Sequence, residues 1–527
     1  MSSLPSNRPT TLSEAPTLPY AVIDIGATSI RMAIAEIDAK GVVRPLENLS
    51  QAVSLGKDTF TQQRIRKSSI EDCVRVLKSY KRLMLEYNIV RPEQMRVVAT
   101  SAVREATNRL AFIDRVFIAT ELAVEPLDEA EVNRITYMGV QPLLQSNPKL
   151  ASSKTVIAEI GSGSTEILVV RGGNVLFSNS YRLGSLRILE TLEKFNAPRG
   201  KQRAIMESQI KRIVDQIGEQ VDANVQHEMV AIGGDMRFAA ANLLEHWESD
   251  SLATMLLESL ESLTRQLLRL SQDDIVKRYS VSFQDAETIA PALLSYVMLA
   301  KELKCQTIHV ADTNLRDGLL NDLAKREAWT AEFRNQIIRS AINLGRKFAF
   351  QEKHARHVAT LARKLFTDLQ EEHHLDQRME LILYLAALLH EIGLFINVRS
   401  NHKHSMYIIQ NSELFGLSRK DVLLVSLVAR YHRRSSPQPD HEGFANLDRT
   451  DRVTISKLAS ILRLAIALDE SRSQRIVNVR CRNDNGRLVI TAHGVEDVSL
   501  EQLALRQTSN LFEETFGVSV LLRSARR

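Results

Sequence analysis

An internal repeat near the start of the chain constrains its fold more than any other feature. The segment IDIGATSIRMAIAEI, which begins at residue 23, aligns with AEIGSGSTEILVVRG at a constant offset of 135 residues. Asp24 then matches Glu159, and Gly26 matches Gly161. Each copy reads as an apolar strand, an acidic residue, a turn of small residues and a second strand, which predicts a β-hairpin. Two hairpins in one register predict two like α/β domains that face a common cleft.

The turns of both hairpins suit an anion. Residues without bulky side chains let successive backbone N–H groups approach an oxyanion closely. A carboxylate beside a bound phosphate would repel it unless a hard divalent cation lay between them, and Mg²⁺ is the first candidate. Asp24 and Glu159 are therefore predicted ion ligands. The alternative is an ordinary hairpin turn with solvated acidic side chains.

Two further segments point to phosphate. In VVATSAVREATNR a strand precedes Thr100 and Ser101, either of which is placed to cap a helix whose free N–H groups attract an anion. Arg104 would lie on the first turn of that helix as a bidentate phosphate ligand, although an ordinary capped helix with a surface arginine has the same pattern. In MVAIGGD a strand runs into Gly233 and Gly234, which predicts another turn of close backbone approach.

The remaining pattern divides the chain of 527 residues into further segments. Residues 1–19 are rich in Ser, Pro, Thr and Asn, which predicts a disordered tail. Strands and amphipathic helices alternate from residue 20 to about 322. Helical periodicity dominates from 323 to about 470, which predicts a separate all-helical domain. A hairpin, a helix and a final strand predict a small α+β domain at the C-terminal end.

Composition narrows the classes of protein that fit. The three cysteines are scattered and odd in number, which argues against a disulfide framework and favours a reducing compartment. Neither a membrane span nor a secretory signal is visible, so the cytoplasm is the expected location. The net charge of +5 is modest for this length, and the aromatic residues, at 5%, do not alternate with the basic ones. Nucleic acid is therefore not an expected partner.

Seven motifs in this order are similar to those of a known family: DIGATSIRM, ATSAVREATN, EVNRITYMGV, EIGSGSTE, YRLGSLRI, AIGGD and LRDGLL. They resemble the exopolyphosphatase/guanosine pentaphosphate phosphohydrolase (Ppx/GppA) family of the actin, Hsp70 and sugar-kinase superfamily. The resemblance implies an α/β fold with two duplicated actin-like (ribonuclease H-like) domains, at 20–140 and 141–322. It also implies an all-α HD-like domain at 323–472 and a homodimer, and the pattern of the remaining residues, 473–527, predicts the small α+β domain.

Carried over residue by residue, the resemblance implies a phosphohydrolase that uses a divalent cation to release terminal orthophosphate from inorganic polyphosphate or guanosine pentaphosphate. Arg104 would hold the terminal phosphate, and Glu166 would complete the acidic side of the site. An ATP-dependent sugar kinase on the same fold is less favoured, because no nucleotide-site signature beyond GGD is present. The phosphate cradle would consist of Gly26, Ala27, Thr28, Ser29, Gly161, Ser162, Gly163, Ser164 and Thr165, with Gly233 and Gly234.

The position that would activate the attacking water departs from the family pattern. In the family, the catalytic glutamate is the second member of an adjacent acidic pair. Alignment on Arg134 and Tyr137 places Glu131 and Val132 at that pair, so the expected catalytic position holds a valine. One residue along a helix turns the side chain by about 100°, so Glu131 is a candidate catalytic residue only if the helix shifts. Glu166 is a second candidate. If neither acts, the chain is a polyphosphate- or nucleotide-binding sensor with weakened catalysis.

Histidines in the helical region follow the order of an HD-domain metal site, in which His and Asp side chains from several helices hold a divalent ion. Two positions depart from that order: Glu391 replaces the aspartate, and Ile466 stands where a later aspartate is expected. A structural or anion-binding remnant is therefore expected rather than a second metallophosphatase. The histidines concerned are His357, His390, His402 or His404, and His432.

Overall fold

The chain divides into two compact units, Met1–Ala328 and Trp329–Arg527. The computed structural model describes residues 17–223, 225–247, 251–324, 331–433, 435–484 and 486–525. Residues 1–16 of the predicted tail lie outside this described part, and the first strand begins at Leu18. The predicted boundary after residue 322 falls inside a helix that ends at Ala324.

A five-stranded sheet with its helices forms the first half of the first unit. In chain order the elements are β1 (Leu18–Ile25), β2 (Ser29–Ile37), β3 (Val43–Ala52), α1 (Leu55–Gln62), α2 (Lys67–Glu86), a 3₁₀ helix (Pro92–Gln94), β4 (Met95–Ala99), α3 (Ser101–Arg104), α4 (Arg109–Thr120), β5 (Val124–Pro126) and α5 (Glu129–Ser146). The strand order is β3-β2-β1-β4-β5. β1 is antiparallel to β2 and parallel to β4, which places it at the centre of the sheet.

The second half of this unit repeats the plan. Its elements are α6 (Pro148–Ser152), β6 (Thr155–Ile160), β7 (Thr165–Arg171), β8 (Asn174–Tyr181), α7 (Ser185–Lys194), α8 (Arg199–Val221), β9 (Glu228–Ile232), α9 (Gly234–Leu243), β10 (Ala253–Leu256), α10 (Leu257–Leu267), α11 (Gln272–Tyr279), α12 (Phe283–Glu302), β11 (Thr307–Val310) and α13 (Leu315–Ala324). The order β10-β11-β9-β6-β7-β8 matches that of the first sheet from β8 to β11, with β10 added antiparallel at the edge. The predicted duplication and the α/β fold class are confirmed.

Parallel pairing brings the site segments to one edge of each sheet. Ile25 of β1 lies opposite Ala99 of β4, so the turn after β1 lies beside the segment after β4. Glu159 of β6 lies opposite Ile232 of β9, so the turn after β6 lies beside Gly233. Ligands of α/β sheets bind outside such carboxyl ends of parallel strands.

The helix α12 anchors the second of these edges. It begins where the Ser282 hydroxyl accepts a hydrogen bond from the amide of Asp285 at 3.1 Å. Apolar residues then follow on nearly every side of the helix, and most of the stretch from Ala286 to Ala300 is buried. Tyr296, in that stretch, is fully buried against the ends of β6 and β9.

Helices dominate the second unit. Its elements are α14 (Ala331–Lys347), α15 (Glu352–Asp368), α16 (Gln370–His373), α17 (Gln377–Leu389), a 3₁₀ helix (Ile392–Phe395), α18 (Asn401–Gln410), α19 (Arg419–Arg430), α20 (Arg449–Ala467), β12 (Asn478–Asp484), β13 (Arg487–His493), α21 (Ser499–Thr508), α22 (Asn510–Phe516) and β14 (Ser519–Ala525). β13 pairs antiparallel with β12 and parallel with β14. Leu385 of α17, Leu462 of α20 and Ile490 of β13 belong to one apolar core, so the predicted helical and α+β segments are packed together.

No helix within the described ranges combines the length and the apolar character that a membrane crossing requires.

Candidate active site

Both hairpin turns open onto one cleft in the first unit. The volume of this cleft is about 320 Å³. Every predicted phosphate- or ion-binding residue except Thr165 lines it. The predicted residues found there are Asp24, Gly26, Ala27, Thr28, Ser29, Arg104, Glu159, Gly161, Ser162, Gly163, Ser164, Glu166, Gly233 and Gly234.

The two turns have the same backbone closure. The first glycine of each turn, Gly26 or Gly161, donates a hydrogen bond from its amide to the serine carbonyl three residues later, at 2.9 Å in both cases. The second turn is packed closely against the segment after β4. A Cβ atom at Gly163 would lie 2.5 Å from the Oγ of Ser101. A side chain at 163 would have to displace the hydroxyl of Ser101 and the ring of Phe60, whereas glycine lets the backbone itself form this part of the cleft wall.

Glu159 and Glu166 face each other across the second hairpin. They are directly opposite in the antiparallel register of β6 and β7, so their side chains leave the sheet on the same face. The equivalent pair in the first hairpin is Asp24 opposite Arg31. The second hairpin therefore brings two carboxylates into the cleft, whereas the first brings one carboxylate and one guanidinium.

Two serine hydroxyls hold one oxygen atom of Glu166. Ser164 Oγ donates to Oε1 at 2.6 Å, and Ser180 Oγ donates to the same atom at 3.3 Å. In the described part of the chain, no hydrogen bond reaches the other oxygen, Oε2. Burial, reinforced by repulsion from Glu159, raises the pKa of Glu166 to about 7. A carboxylate with a pKa near neutrality is suited to accept a proton from water.

Asp24 is buried and Glu159 is half-buried, and the pKa of each carboxylate is raised despite nearby arginines. Burial raises the pKa of Asp24, although Arg31 and Arg316 oppose the rise. Burial also raises the pKa of Glu159, which Arg237 opposes and Asp24 reinforces. The Oδ1 atom of Asp24 is buried and has no hydrogen-bond partner among the described residues. Oxygen atoms in this condition fit a hard divalent cation.

The cleft carries mixed charge, which limits how an anion can bind. Burial, with repulsion from Asp285, raises the pKa of Asp235 to about 7. Within the described ranges, the cleft holds no three carboxylates whose oxygen atoms all lie within 4.8 Å of one another. An ion there would take few protein ligands and would complete its shell with phosphate oxygen atoms and water, as Mg²⁺ commonly does. The charged lining residues are Arg31, Arg104, Arg237, Arg316, Asp24, Glu159, Glu166, Asp235 and Asp285.

Glu131 lies outside the cleft, contrary to its predicted catalytic position. The helix α5 starts regularly after Asp128, whose side chain accepts a hydrogen bond from the Glu131 amide at 2.9 Å. The Glu131 carboxylate lies 3.3 Å from Nη2 of Arg96 and 3.9 Å from Nη2 of Arg134. Val132 lines the cleft instead. The rotation of about 100° per residue therefore separates the two side chains, because the helix does not shift.

Thr165 also departs from its predicted role in the phosphate cradle. Only 1% of Thr165 is exposed, and its hydroxyl donates to the carbonyl oxygen of Leu183 at 2.5 Å. Successive side chains of a strand point to opposite faces of the sheet, so Thr165 turns away from the face that carries Glu166. Its hydroxyl anchors the hairpin rather than an anion.

Arg104 reaches the cleft by a different geometry from the one predicted. Thr100 precedes α3, but its side chain makes no capping hydrogen bond, and α3 is a single short turn. The guanidinium is held by the carbonyl oxygen of Leu127, which accepts from Nη1 at 3.1 Å, and by Glu129, whose Oε1 lies 3.6 Å from Nη2. Arg104 is therefore positioned by its side-chain contacts rather than by a capped helix.

Several residues that line the cleft or lie beside it were not found by sequence reasoning. Arg31 has a signal in the repeat, because it occupies the position that Glu166 holds in the second copy. Tyr296 has none, because it is 136 residues away from Ile160, whose amide donates to its hydroxyl at 2.7 Å. The same hydroxyl donates to the carbonyl oxygen of Ile232, so it joins the strand ends beside the second turn. The other charged cleft residues without an assigned role were Asp235, Arg237, Asp285 and Arg316.

In the second unit, the histidines that meet differ from the predicted set. His354, rather than His357, lies beside His390, with 5.8 Å between the ring centroids. The Nδ1 atom of His354 lies 2.7 Å from Oδ2 of Asp469. This aspartate comes three residues after Ile466, the position where a carboxylate was expected. Both shifts amount to nearly one helical turn.

Comparison with known proteins confirms the resemblance drawn from the seven motifs. The model of the Ppx/GppA phosphatase family matches residues 33–327. The model of Ppx/GppA phosphatase, domain III, matches residues 338–513. The two matches cover parts of both compact units.

Solved structures are similar in fold. An exopolyphosphatase from Cytophaga hutchinsonii has a TM-score of 0.53 and 20% sequence identity, over 58% of this chain and 98% of its own. An exopolyphosphatase-like protein has a TM-score of 0.51 and 18% identity, over 59% of this chain and 99% of its own. A Ppx/GppA family member from Aquifex aeolicus has 23% identity over 59% of this chain and 99% of its own, with a TM-score of 0.48.

Proposed function

Because the chain belongs to the Ppx/GppA phosphatase family, we propose that it is an exopolyphosphatase-type hydrolase. It releases terminal orthophosphate from inorganic polyphosphate or from guanosine pentaphosphate. The observation that carries this proposal is the pair of matched turns, at Gly26 and Gly161, that open onto one cleft with Glu166 at its edge. Two solved structures of similar fold, an exopolyphosphatase and an exopolyphosphatase-like protein, agree with it.

In this proposal the backbone of the two turns binds the phosphate chain. Amides of small residues approach oxyanions closely and are already oriented before the anion arrives. Gly233, which has a φ of +112°, adds a third backbone segment that a residue with a side chain would strain. Arg104 holds the terminal phosphoryl group, and Glu166 accepts a proton from the attacking water. Phosphoryl transfer needs mainly such positioning and charge neutralisation.

A divalent cation fits the carboxylates of the cleft. Asp24, with its unpartnered Oδ1, and Glu159 would hold it. Mg²⁺ is the ion that the all-oxygen donor set suits best. When bound, the ion would neutralise negative charge on the phosphoryl oxygen atoms.

A second candidate function is favoured by one observation. Val132 lines the cleft at the position where the family resemblance places a catalytic glutamate. Without that carboxylate, the cleft would bind polyphosphate or a nucleotide but hydrolyse it only slowly. The protein would then act as a sensor of these ligands. The cytoplasmic location and the homodimer stay predictions under both functions.

Release of orthophosphate from long-chain polyphosphate in the presence of Mg²⁺ distinguishes the two functions. We expect the native protein to release phosphate and Glu166→Gln to lower kcat by about 10²- to 10⁴-fold, the range for losing a general base. Glu131→Gln is the matched control, because Glu131 is a half-buried glutamate of the first unit that lies outside the cleft. It should retain kcat.

The results of these assays distinguish the hydrolase from the sensor and test the assignment of Glu166 as the base. If the native protein binds polyphosphate without releasing phosphate, and Val132→Glu releases it, the sensor function is correct. Loss of activity in Glu131→Gln with full activity in Glu166→Gln would contradict the assignment of the base. Absence of both binding and release would contradict both functions.

A further inference from the structure

The ends of three helices in the second unit meet around His390. His390 directly follows α17, and His432 and Asp469 each come two residues after the last residue of α19 and α20. The ring of His390 has its centroid 5.8 Å from that of His354 and 5.2 Å from that of His432. The C-terminal end of a helix carries partial negative charge, so three such ends favour a cation at this place.

The rings of His354 and His390 are both hydrogen-bonded through Nδ1, so the Nε2 atom of each ring faces away from other groups. His354 Nδ1 lies 2.7 Å from Oδ2 of Asp469, and His390 Nδ1 lies 2.7 Å from the carbonyl oxygen of Ala387. Both neighbours are acceptors, so Nδ1 carries the hydrogen and Nε2 of the neutral ring carries the lone pair.

The lone pairs on Nε2 have no partner within the described ranges. The Nε2 atoms of His354 and His390 are both buried and accept no hydrogen bond there. The two residues are 4% and 1% exposed, so bulk water does not compensate them. Buried polar atoms are rarely left unpaired in proteins, and two adjacent ones with parallel chemistry indicate a missing ligand.

Glu391 supplies a third donor to the same point. One ligand atom from each of His354, His390 and Glu391 lies within 4.8 Å of the other two, and no other group of three is so arranged in the part of the chain that the structure describes. Arg472 donates to Oε1 of Glu391 at 2.5 Å, which leaves Oε2 for a ligand.

We propose that the second unit binds one divalent transition-metal ion of the Zn²⁺ class through Nε2 of His354, Nε2 of His390 and the carboxylate of Glu391. Two imidazoles and one carboxylate suit Zn²⁺ and its neighbours in the first transition series, whereas Mg²⁺ and Ca²⁺ prefer oxygen ligands. Asp469 orients the His354 ring through Nδ1, as carboxylates behind metal-bound histidines commonly do. The site consists of residues of the second unit alone and does not depend on the proposed hydrolysis.

Titration of the full-length chain with Co²⁺ tests the site. Excess Mg²⁺ is present throughout, so that sites made only of oxygen atoms are occupied. We expect one Co²⁺ per chain, with visible absorption bands of a nitrogen- and oxygen-coordinated ion, and displacement of Co²⁺ by Zn²⁺. Zn²⁺ should also raise the Tm of the protein, because it binds the folded state.

Variants of the cluster locate the binding. His390→Ala should remove the bands and lower Co²⁺ affinity at least about 100-fold, because changing a group that only supports a metal ligand already costs about 10- to 100-fold. Glu391→Gln keeps the shape of a half-buried side chain and tests the site without opening a cavity, and it should lower affinity at least about tenfold. His357→Gln is the matched control on α15, one turn beyond His354, and should bind Co²⁺ like the native protein.

Two results would overturn the proposal. One is the absence of Co²⁺ bands and of bound Zn²⁺ in the native protein. The other is equal binding by the native protein, His390→Ala and Glu391→Gln, which would place the ion elsewhere in the chain.

Discussion

At the scale of single residues, the chemistry of the cleft follows from one difference between the two hairpins. The residue opposite Asp24 is Arg31, whereas the residue opposite Glu159 is Glu166. The first hairpin therefore compensates its acid, and the second places two acids together. Burial and this second carboxylate raise the pKa of Glu166 to about 7. The two copies share the same frame, and the second carries a glutamate where the first carries Arg31, which gives the cleft a carboxylate with a pKa of about 7.

The pH dependence of catalysis is the first prediction at this scale. A general base must be deprotonated, so kcat/KM for polyphosphate should rise about tenfold per pH unit below pH 7 and level off above it. Steady-state rates from pH 5 to 9, at saturating Mg²⁺, measure this. A profile that rises only below pH 5, as for an ordinary solvated glutamate, would contradict the role of Glu166.

Two candidate residues were wrong because tertiary packing decides which face of a helix meets a site. Alignment placed Val132 at the catalytic position, and Glu131 was a candidate only if α5 shifted. The helix does not shift, so Val132 lines the cleft and Glu131 is turned away by about 100°. His357 is replaced by His354, which lies nearly one full turn earlier on α15. Spacing in a sequence does not reveal which turn faces a neighbouring helix, since tertiary packing decides it.

At the scale of elements, the second turn depends on a glycine from another segment. Gly184 lies between β8 and α7, and a Cβ there would lie 2.4 Å from the carbonyl oxygen of Ser162 and 2.5 Å from the backbone nitrogen of Gly163. Both atoms belong to the backbone of the turn, so a side chain at 184 would have to displace the turn itself. The shape of the phosphate cradle therefore requires close contact between two elements.

Gly184→Ala should displace the second turn. We expect a loss of roughly 1 to 3 kcal/mol in the free energy of unfolding, as for overpacking of a core, and a higher KM for polyphosphate. Gly200→Ala is the matched control, because nothing lies within 4 Å of a Cβ at this helical position, and it should not weaken binding. Chemical denaturation and phosphate-release kinetics measure both variants. An unchanged KM in Gly184→Ala would show that the turn does not contact substrate.

A buried ion network joins three elements of the first unit. Asp322 of α13 accepts from both terminal nitrogens of Arg134 of α5, at 2.8 and 3.0 Å, and from Arg96 of β4 at 2.8 Å. Arg96 also contacts Glu131, which explains why that carboxylate points away from the cleft. Burial raises the pKa of Asp322, but Arg134 and Arg96 outweigh it and hold the pKa below its usual 3.8.

Removing Asp322 should destabilise this unit. Asp322→Ala leaves two guanidinium groups without their shared carboxylate, which costs roughly 3 to 5 kcal/mol for a buried pair. Because the folded pKa of Asp322 is depressed, its contribution is present above pH 3.8 and is lost as the pH falls below that value. Glu71→Ala, which breaks the exposed pair with Arg115, is the control and should change stability little. Equal urea midpoints for both variants would contradict the importance of the network.

At the scale of the whole molecule, the repeat register predicts most of the first unit. Matching Asp24 to Glu159 predicts two hairpins, and the sheets show them in the same strand order around β1 and β6. The added strand β10 and the contact of Tyr296 with the ends of β6 and β9 could not be predicted, because both join segments far apart in the sequence. The shared core of the second unit was missed for the same reason, since composition changes at about residue 473 while packing continues.

The central claim is that two lobes of duplicated fold bind a phosphoryl group between their matched turns. A crystal structure of the full-length chain soaked with short-chain polyphosphate and Mg²⁺ tests it most directly. The account predicts phosphate between the turns at Gly26 and Gly161, in contact with their backbone amides and with Arg104, and a cation beside Asp24 and Glu159. Phosphate bound elsewhere, with the cleft free of anion, would contradict it.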